Sequence, residues 1–383
     1  MKGRQNIGSR LLRNPGTLFG LIVIGLATVV AVTGYLIAPD GSPDANRIIV
    51  EIGGRKPGFR QEFVLVRKPG AAARAGFFHR LLFGQEDRYD YVPIEGYQTK
   101  GDSLIVQKFV DEGVYERRAY ANDCRVSART TGAAPGRGLA PVDGTRPASQ
   151  VLTGPPAIEV RRFWLGTDKY GRDILSRLLI GVRVSLAVGM VTVLLSISVG
   201  VGLGALAGYF RGRVDEFILW LVNVIWSIPT LLLVFAIMLV LGKGFWQVFV
   251  AIGLTLWVNV ARIVRGQVLA VREREYVEAA RALGYSHARI LFRHILPNIM
   301  GPVWVVAASN FASAIVIEAG LSFLGVGVQP PQPSWGLMIK ENYNFIITHN
   351  PMLALAPGIA IMLLVLAFNL LGNGLRDVLN VRV

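Results

Sequence analysis

Long uncharged stretches separated by short polar ones dominate the pattern of this chain. A helix that crosses about 30 Å of hydrocarbon needs about 20 residues. Six segments meet or approach that length, and Glu318 is the only charge inside them: residues 17–38, 184–210, 217–241, 244–261, 299–324 and 351–375. The pattern therefore predicts an all-α polytopic membrane protein with six transmembrane helices.

Two features inside the predicted spans indicate how helices pack. Small residues recur every four positions in the second span, at Ser196, Gly200, Gly204 and Gly208. Such a stripe lets another helix approach closely, and we favour this interpretation over a ligand-lining role. Pro229 removes one backbone hydrogen bond inside the third span, so we expect a kink there.

Residues 39–160, between the first two spans, have a mixed and more polar composition. Alternating apolar and polar residues at 47–52, 62–66 and 103–110 predict strands. Residues 130–156 are rich in Gly, Pro, Ala and Thr without periodicity, which is typical of a linker. The sequence therefore predicts a small β-rich insert outside the membrane. The sequence by itself gives no preference for any role of this insert.

Composition agrees with a membrane protein. Of 383 residues, 52% are hydrophobic and 17% are charged, whereas soluble domains average about 25% charged residues. The net charge of +15 could suggest a nucleic-acid partner, but no basic stripe carries interleaved aromatic residues. We therefore interpret the cations as flanking the spans and expect no nucleic acid. The lone Cys124 excludes a disulfide framework within the chain.

Basic residues near the spans predict the orientation. The tail at residues 1–16 has four cations and no acid, namely Lys2, Arg4, Arg10 and Arg13. The positive-inside rule places such a tail in the cytoplasm. Because successive spans cross the membrane in opposite directions, residues 262–293 and the C-terminal tail lie on the same side as this tail. Both termini are therefore expected in the cytoplasm. The cations at 161–183 would lie outside, in conflict with the rule. No A-x-A-like cleavage site follows the first span, which favours an uncleaved anchor.

The residue inventory argues against catalysis by this chain. The sequence has no G-x-S-x-G elbow and no phosphate-binding G-x-x-x-x-G-K-[ST] motif. No pair of its histidines has the HExxH spacing of a zinc site: His79, His287, His294 and His349. We therefore expect no metal site and no catalytic residue. If ATP drives the protein, another chain must bind the nucleotide.

Residues 275–297, EYVEAARALGYSHARILFRHILP, form a charged segment between the fourth and fifth predicted spans. The pattern predicts helices at 271–283 and 288–295. Gly284 stands where a left-handed C-cap is needed, and Ser286 is placed to cap the second helix. A short helix pair between two membrane helices would act as a lever on both. We call residues 275–297 the coupling segment.

The coupling segment resembles the EAA loop of binding-protein-dependent ABC importers, E-A-A-x3-G-x9-I-x-L-P. The matching residues are Glu278, Ala279, Ala280, Gly284, Leu296 and Pro297, while His294 stands at the isoleucine position. The resemblance implies that this loop docks into a cleft of a separate ATP-hydrolysing subunit. It also implies that ATP and magnesium are bound by partner chains.

Two further stretches resemble the dipeptide, oligopeptide and nickel permease family. They are LGTDKYGRDILSR at 165–177 and EAGLSFLGVGVQPPQPSWG at 318–336. The arrangement is most similar to the second of the two permease subunits of these systems. It implies the type I ABC importer fold, a heterodimer with a homologous permease, two ATPase subunits and an extracytoplasmic solute-binding protein. For residues 166–177 themselves we favour an amphipathic surface segment with local ion pairs over a substrate contact.

Three polar or aromatic residues are candidates for the translocation pathway or outer gate. Glu318 is a carboxylate in an apolar span, which is costly and by default functional. The alternative is that the helix ends near Gly320 and Glu318 is tied to backbone amides or an arginine at the boundary. Asn310 is a weaker candidate, because membrane amides often join helices. Trp335 belongs to a proline-stiffened cap with a ring suited to the membrane interface.

The sequence thus predicts a non-catalytic permease subunit of a peptide importer in the cytoplasmic membrane. A nickel or metal-chelate permease of the same family is the first alternative, and a membrane-anchored receptor or scaffold is the second. The predicted division is a tail at 1–16, a helix at 17–38, the insert and linker at 39–160, and a permease core at 161–383 that includes a cytoplasmic loop at 262–297.

Overall fold

The computed structural model describes residues 7–68, 75–100, 103–111, 113–121, 158–242, 244–345 and 350–379. The predicted linker at 130–156 and Cys124 lie outside these residues. The chain forms two compact units. The first comprises Met1–Ala31, Gly181–Lys340 and Pro357–Val383, and the second comprises Val32–Ile180 and Glu341–Ala356.

Helices account for most of the described chain. In order they are α1 (Ile7–Arg13), α2 (Pro15–Ile37), α3 (Phe77–Phe83), α4 (Ile174–Phe210), α5 (Gly212–Trp226), α6 (Thr230–Leu241), α7 (Phe245–Val271), α8 (Glu275–Ala282), α9 (His287–Ile290), α10 (Leu296–Leu324), α11 (Trp335–Asn342) and α12 (Met352–Val378). A π-helical turn, Leu291–Ile295, joins α9 to α10. Within the described residues, five helical stretches are long and apolar enough to cross a membrane: α2, α4, α7, α9 with α10, and α12.

The third predicted span is not one straight helix. Helices α5 and α6 meet at an angle of 95° around Pro229, so the pair counts as one broken span or as a re-entrant loop. The predicted kink at Pro229 is confirmed, and the predicted span at 217–241 falls on α5 and α6. Proline lacks the backbone N–H and disfavours helical geometry in the residue before it. Pro229 therefore ends one helix and begins the next.

The small-residue stripe of α4 packs against α7. A Cβ atom on Gly204 would lie 2.4 Å from the carbonyl oxygen of Ala261, and one on Gly200 would lie 2.5 Å from the Cβ of Val260. Real side chains do not approach so closely, so only glycine fits at these positions. The predicted close helix contact is confirmed.

The insert contains a five-stranded antiparallel sheet of order β4-β3-β2-β1-β5. Its strands are β1 (Phe59–Arg67), β2 (Tyr89–Lys100), β3 (Ser103–Asp111), β4 (Val114–Ala121) and β5 (Ile158–Phe163). Strand β1 pairs with both β2 and β5, for example Val64 with Val92 and with Ile158. The predicted strands at 62–66 and 103–110 lie within β1 and β3.

The predicted strand at 47–52 is wrong. Residues Val50–Ile52 form a 3-10 turn instead, and the N–H of Ile49 donates to the carbonyl of Tyr170. Ile49 and Ile52 are buried in a cluster with Phe63, Phe109 and Phe163. Burying two apolar residues three positions apart on one side needs a turn rather than the alternation of a strand. The helical membrane fold and the small β-rich region are both confirmed.

Candidate functional site

The coupling segment folds as two short helices around a left-handed glycine. Helix α8 ends next to Gly284, whose φ of 73° falls in the region that glycine adopts without strain. The hydroxyl of Ser286 accepts from the N–H of Arg289 at 3.4 Å. The predicted C-cap and N-cap are confirmed. The first helix is shorter than predicted, because a turn separates α7 from α8. The predicted helix at 288–295 corresponds to α9 and the π-helical turn that leads into α10.

The coupling segment has one buried face and one exposed face. Val277 and Ala280 pack in an apolar cluster with Ile290, Leu291 and Ile295. The other side of α8 presents Glu278, Ala279 and Arg281 to solvent. Two large apolar side chains are also exposed, Leu283 by 71% and Phe292 by 69%. The buried face fixes the helices, and the exposed face is free to meet another protein.

Three contacts join the coupling segment and its flanks to the end of α4. The hydroxyl of Tyr209 lies 2.9 Å from Nδ1 of His287. The backbone oxygen of Tyr209 accepts from Nη1 of Arg272 at 2.5 Å, and Arg211 pairs with Glu273 at 2.7 Å. Burial, together with the positive charges of Arg211 and Arg281, lowers the pKa of Arg272. A displacement of the segment would therefore act directly on α4.

The remaining predicted coupling residues lie where the segment enters α10. His294 is half-buried and stacks on Tyr285, with ring centroids 5.8 Å apart. Leu296 packs against the same apolar cluster as Val277. Pro297 is exposed in the first turn of α10, directly after the π-helical turn. The structure thus brings all seven predicted coupling residues onto one continuous piece of chain, and their coupling role stays a prediction.

Asn310 lies at the meeting point of three helices. Its Nδ2 donates to Oγ of Ser196 in α4 and to the carbonyl oxygen of Leu256 in α7, each at 3.3 Å. The side chain is buried. This geometry favours the helix-joining interpretation of the amide.

Glu318 is completely buried and lies in the C-terminal third of α10. Its Oε1 accepts from the hydroxyls of Ser322 at 2.6 Å and Ser334 at 2.7 Å. Helix α10 continues to Leu324, so the interpretation that the helix ends near Gly320 is wrong. Its Oε2 has no hydrogen-bond partner among the described residues. The carboxyl group therefore fastens the loop before α11 to α10, and its place in a pathway or gate stays a prediction.

Trp335 begins α11 and is buried, not placed at an exposed interface. Its ring packs on α4, where a Cβ on Gly181 would lie 3.0 Å from the indole Cδ1. The expected interfacial ring is wrong, and the rigid cap is the interpretation that the packing favours. Ser334, the adjacent residue, links this cap to Glu318.

Residues 166–177, which we call the charged segment, differ from the predicted surface segment. Thr167, Asp168, Arg172, Asp173 and Arg177 are buried. Nε of Arg172 donates to Asp168 at 2.6 Å, which confirms a local ion pair, and Nη2 of Arg172 donates to Glu341 at 2.7 Å. Burial raises the pKa of the Asp173 carboxyl. The spacing of four residues revealed the first pair, but no local signal reveals Glu341.

Metal-ligating side chains are scattered in the described part of the chain. His79 lies in α3, while His287 and His294 lie in the coupling segment. Among the described residues, no group of three or more His, Cys, Asp or Glu side chains could hold a metal ion.

Comparison with known proteins shows the family of this chain. Residues 200–383 match the family described as binding-protein-dependent transport system inner membrane component. The glutathione transport system permease protein GsiD of Pectobacterium atrosepticum is 43% identical over 217 residues, which are 57% of this chain and 72% of that protein. The chain belongs to this permease family.

Other members of the permease family are similar to the same extent. The oligopeptide permease OppC of Bacillus subtilis is 41% identical over 217 residues, 57% of this chain and 71% of OppC. The di/tripeptide permease DppC of Pseudomonas aeruginosa is 41% identical over 245 residues, 63% of this chain and 80% of DppC. The predicted resemblance to peptide-type ABC permeases is confirmed.

A solved structure is similar at lower identity. One titled as inward-facing conformations of the MetNI methionine ABC transporter has 20% identity and a TM-score of 0.45, covering 54% of this chain and 97% of that chain.

The family match covers the coupling segment and the buried polar groups but not the sheet. The coupling segment, Glu318 and Trp335 all fall within residues 200–383. Strands β1–β5 end at Phe163, before the matched residues begin. The family match therefore assigns no role to the sheet.

Proposed function

We propose that this chain is a non-catalytic, membrane-spanning permease subunit of an ATP-driven importer of di- or oligopeptides. The observation that carries the proposal is the exposed face of α8, held rigidly by the buried Val277 and Ala280. Relatives named for oligopeptide, di/tripeptide and glutathione transport support a peptide-like cargo. This chain would form half of the translocation pathway.

The mechanism follows from how the coupling segment is mounted. A partner ATPase would grip Glu278, Ala279 and Leu283 on the exposed face. When ATP binds, the two ATPase subunits would close against each other and push α8. The push would pass through the cluster around Ile290 and through the contact between His287 and Tyr209 into the membrane helices. Since packed interfaces switch between discrete arrangements, a small push would exchange an inward-open for an outward-open state.

The proposed assembly contains a homologous permease, two ATPases that bind ATP and magnesium, and a solute-binding protein on the outer side. It would lie in the cytoplasmic membrane with both termini in the cytoplasm. This topology requires six crossings, so α5 and α6 would together make one broken span. Cations in the tail and in the coupling segment support this orientation.

The coupling role is tested with Leu283→Asp in the assembled transporter. Leu283 is 71% exposed, so the change should leave the fold intact while placing an unpaired charge in the docking surface. We expect loss of ATPase co-purification and of ATP-driven uptake of a labelled tripeptide into proteoliposomes. Val114→Asp, at a position 54% exposed in β4, is the matched control and should leave both unchanged. Unaltered ATPase binding and uptake in Leu283→Asp would refute the coupling role.

The cargo is tested separately with the unmodified transporter. Labelled tripeptide, glutathione and nickel are supplied in turn, together with the cognate binding protein. We expect ATP-dependent uptake of a peptide or of glutathione, which is itself a small peptide. Uptake of nickel alone would leave the coupling role in place and overturn the peptide cargo. A protein that functions without any co-purifying ATPase would instead support a receptor or scaffold.

A further inference from the structure

Helix α3 of the insert is a short apolar helix without a buried side. Its sequence is FFHRLLF, and none of its seven residues is buried within the described structure. Phe77 is 62% exposed and Phe78 is 76% exposed. Helices shorter than about 12 residues are marginal in water and usually depend on packing of an apolar face. A partner outside the described chain would therefore stabilise α3.

The end of α3 is fixed next to the outer end of the first membrane helix, within the same compact unit. A Cβ on Gly84 would lie 2.8 Å from the carbonyl oxygen of Gly41 and 3.0 Å from the ring of Tyr35. The N–H of Gln85 donates to the same Gly41 oxygen at 2.9 Å. Tyr35 belongs to the last turn of α2. The contact therefore sets the level of α3 relative to the membrane.

That level is the boundary between lipid tails and headgroups. Helix α2 has 23 residues, or about 35 Å at 1.5 Å per residue, slightly more than the hydrocarbon thickness of about 30 Å. Tyr35, near its end, lies where tyrosine rings concentrate in membrane proteins. Helix α3 is only about 10 Å long. Interfacial helices bury their apolar face about 5–10 Å into this boundary, so α3 is within reach of it along its whole length.

The arrangement of side chains around α3 fits a lipid surface. By helical geometry Phe77, Phe78, Leu81 and Leu82 fall within one arc of about 140°, and Arg80 and Phe83 lie outside that arc. Arg80 is exposed. An arginine at this depth extends its guanidinium toward headgroup phosphates while its aliphatic stem stays among apolar groups.

We propose that α3 is an interfacial anchor that inserts Phe77, Phe78 and Leu82 into the outer leaflet and holds the insert against the bilayer. The proposal goes beyond the transport function and rests on it only for the side of the membrane. The partner is the lipid surface itself. The anchor would hold the sheet next to the lipid surface.

The anchor is tested by spin-label depth measurements on the complete transporter in nanodiscs. The lone Cys124 is replaced by Ser, and nitroxides are attached singly to Phe78→Cys, Leu26→Cys in the middle of α2, and Val114→Cys in β4. We expect the label at 78 to collide more often with dissolved oxygen than with a water-soluble nickel chelate. The label at 26 should show the same preference. The label at 114 should show the reverse ratio.

Labels at further positions make the test independent of any single variant. Labels at 77 and 82 should lie as deep as that at 78, and one at Arg80→Cys should lie nearer the water. Free access of the nickel chelate to 77, 78 and 82 would overturn the proposal. Shielding of these positions from both collision partners would also overturn it, because a protein would then cover α3. Peptide uptake by each labelled transporter verifies that the assembly is intact, and an impermeant thiol reagent tests the side of the membrane independently.

Discussion

The coupling segment and the charged segment are both polar stretches with family-like motifs, yet they are built in opposite ways. The coupling segment buries small and apolar residues, such as Val277 and Ala280, and exposes its charges. The charged segment buries Asp168, Arg172 and Arg177 and satisfies Arg172 with two carboxylates. Each segment lies in a different compact unit.

The difference teaches that charge in a motif does not indicate exposure. Exposed charges keep a surface available for a partner, and they contribute little to stability. Buried pairs are strongly destabilising when one member is removed, since the other is left without compensation. We therefore expect substitutions in the charged segment to act on folding, and exposed substitutions in the coupling segment to act on transport.

The largest effect is expected for Arg172→Met. The change leaves the carboxylate of Asp168 buried without its guanidinium and leaves Glu341 with Arg177 alone, at 3.5 Å, at a cost of about 3–5 kcal/mol in the free energy of unfolding. Thermal unfolding of the purified protein in detergent measures it. Lys68→Met is the matched control, because Lys68 and Asp90 form an exposed pair at 3.6 Å. Its effect should stay within about 1 kcal/mol, and equal effects in the two variants would contradict the comparison.

Ala280→Asp should have the next largest effect. It places an unpaired carboxylate in the apolar cluster beneath α8, and we expect about 2–3 kcal/mol of destabilisation, limited by local opening of the segment. Hydrogen exchange of residues 275–295 measures the opening. Ala279→Asp, on the neighbouring exposed position, should leave exchange unchanged. Identical hydrogen exchange in both variants would show that the buried face does not hold α8 in place.

Gly284→Ala should destabilise the coupling segment by about 1–2 kcal/mol, because an L-residue is strained at a φ of 73°. The expected readout is faster hydrogen exchange in α8 and α9 together with slower ATP-driven uptake. Gly266→Ala in α7 is the control, since a Cβ there meets no atom within 4 Å. That change should be neutral or stabilising, as alanine favours a helix. A neutral Gly284→Ala would refute the requirement for a left-handed residue.

Tyr209→Phe should give the smallest effect. It removes the hydroxyl that lies 2.9 Å from Nδ1 of His287, a contact expected to contribute about 0.5–1.5 kcal/mol. A double-mutant cycle with His287→Ala, followed by thermal unfolding and by uptake, isolates the contact. Additive effects of the two changes would mean that this contact does not link the coupling segment to α4.

Local sequence signals predicted the elements whose cause is local. Gly284 and Ser286 marked the turn inside the coupling segment, and the stripe from Ser196 to Gly208 marked a helix contact. These local signals failed where residues far away in the sequence determine the conformation or the burial. Ile49 and Ile52 leave the strand pattern because they are buried with Phe163, and Arg172 is buried because Glu341 reaches it from far along the chain. Trp335 is buried by the close approach of Gly181, which no pattern near Trp335 reveals.

The sequence by itself determined that this protein is a helical membrane permease with a coupling segment, because span length, turn residues and motif spacing depend on nearby residues. Only the tertiary structure decided which charges are buried, that the third span breaks at 95°, and that Glu318 is held by two serine hydroxyls. Burial and hydrogen bonding join residues that are distant in sequence. Their energies are therefore fixed only when the folded chain brings those residues together.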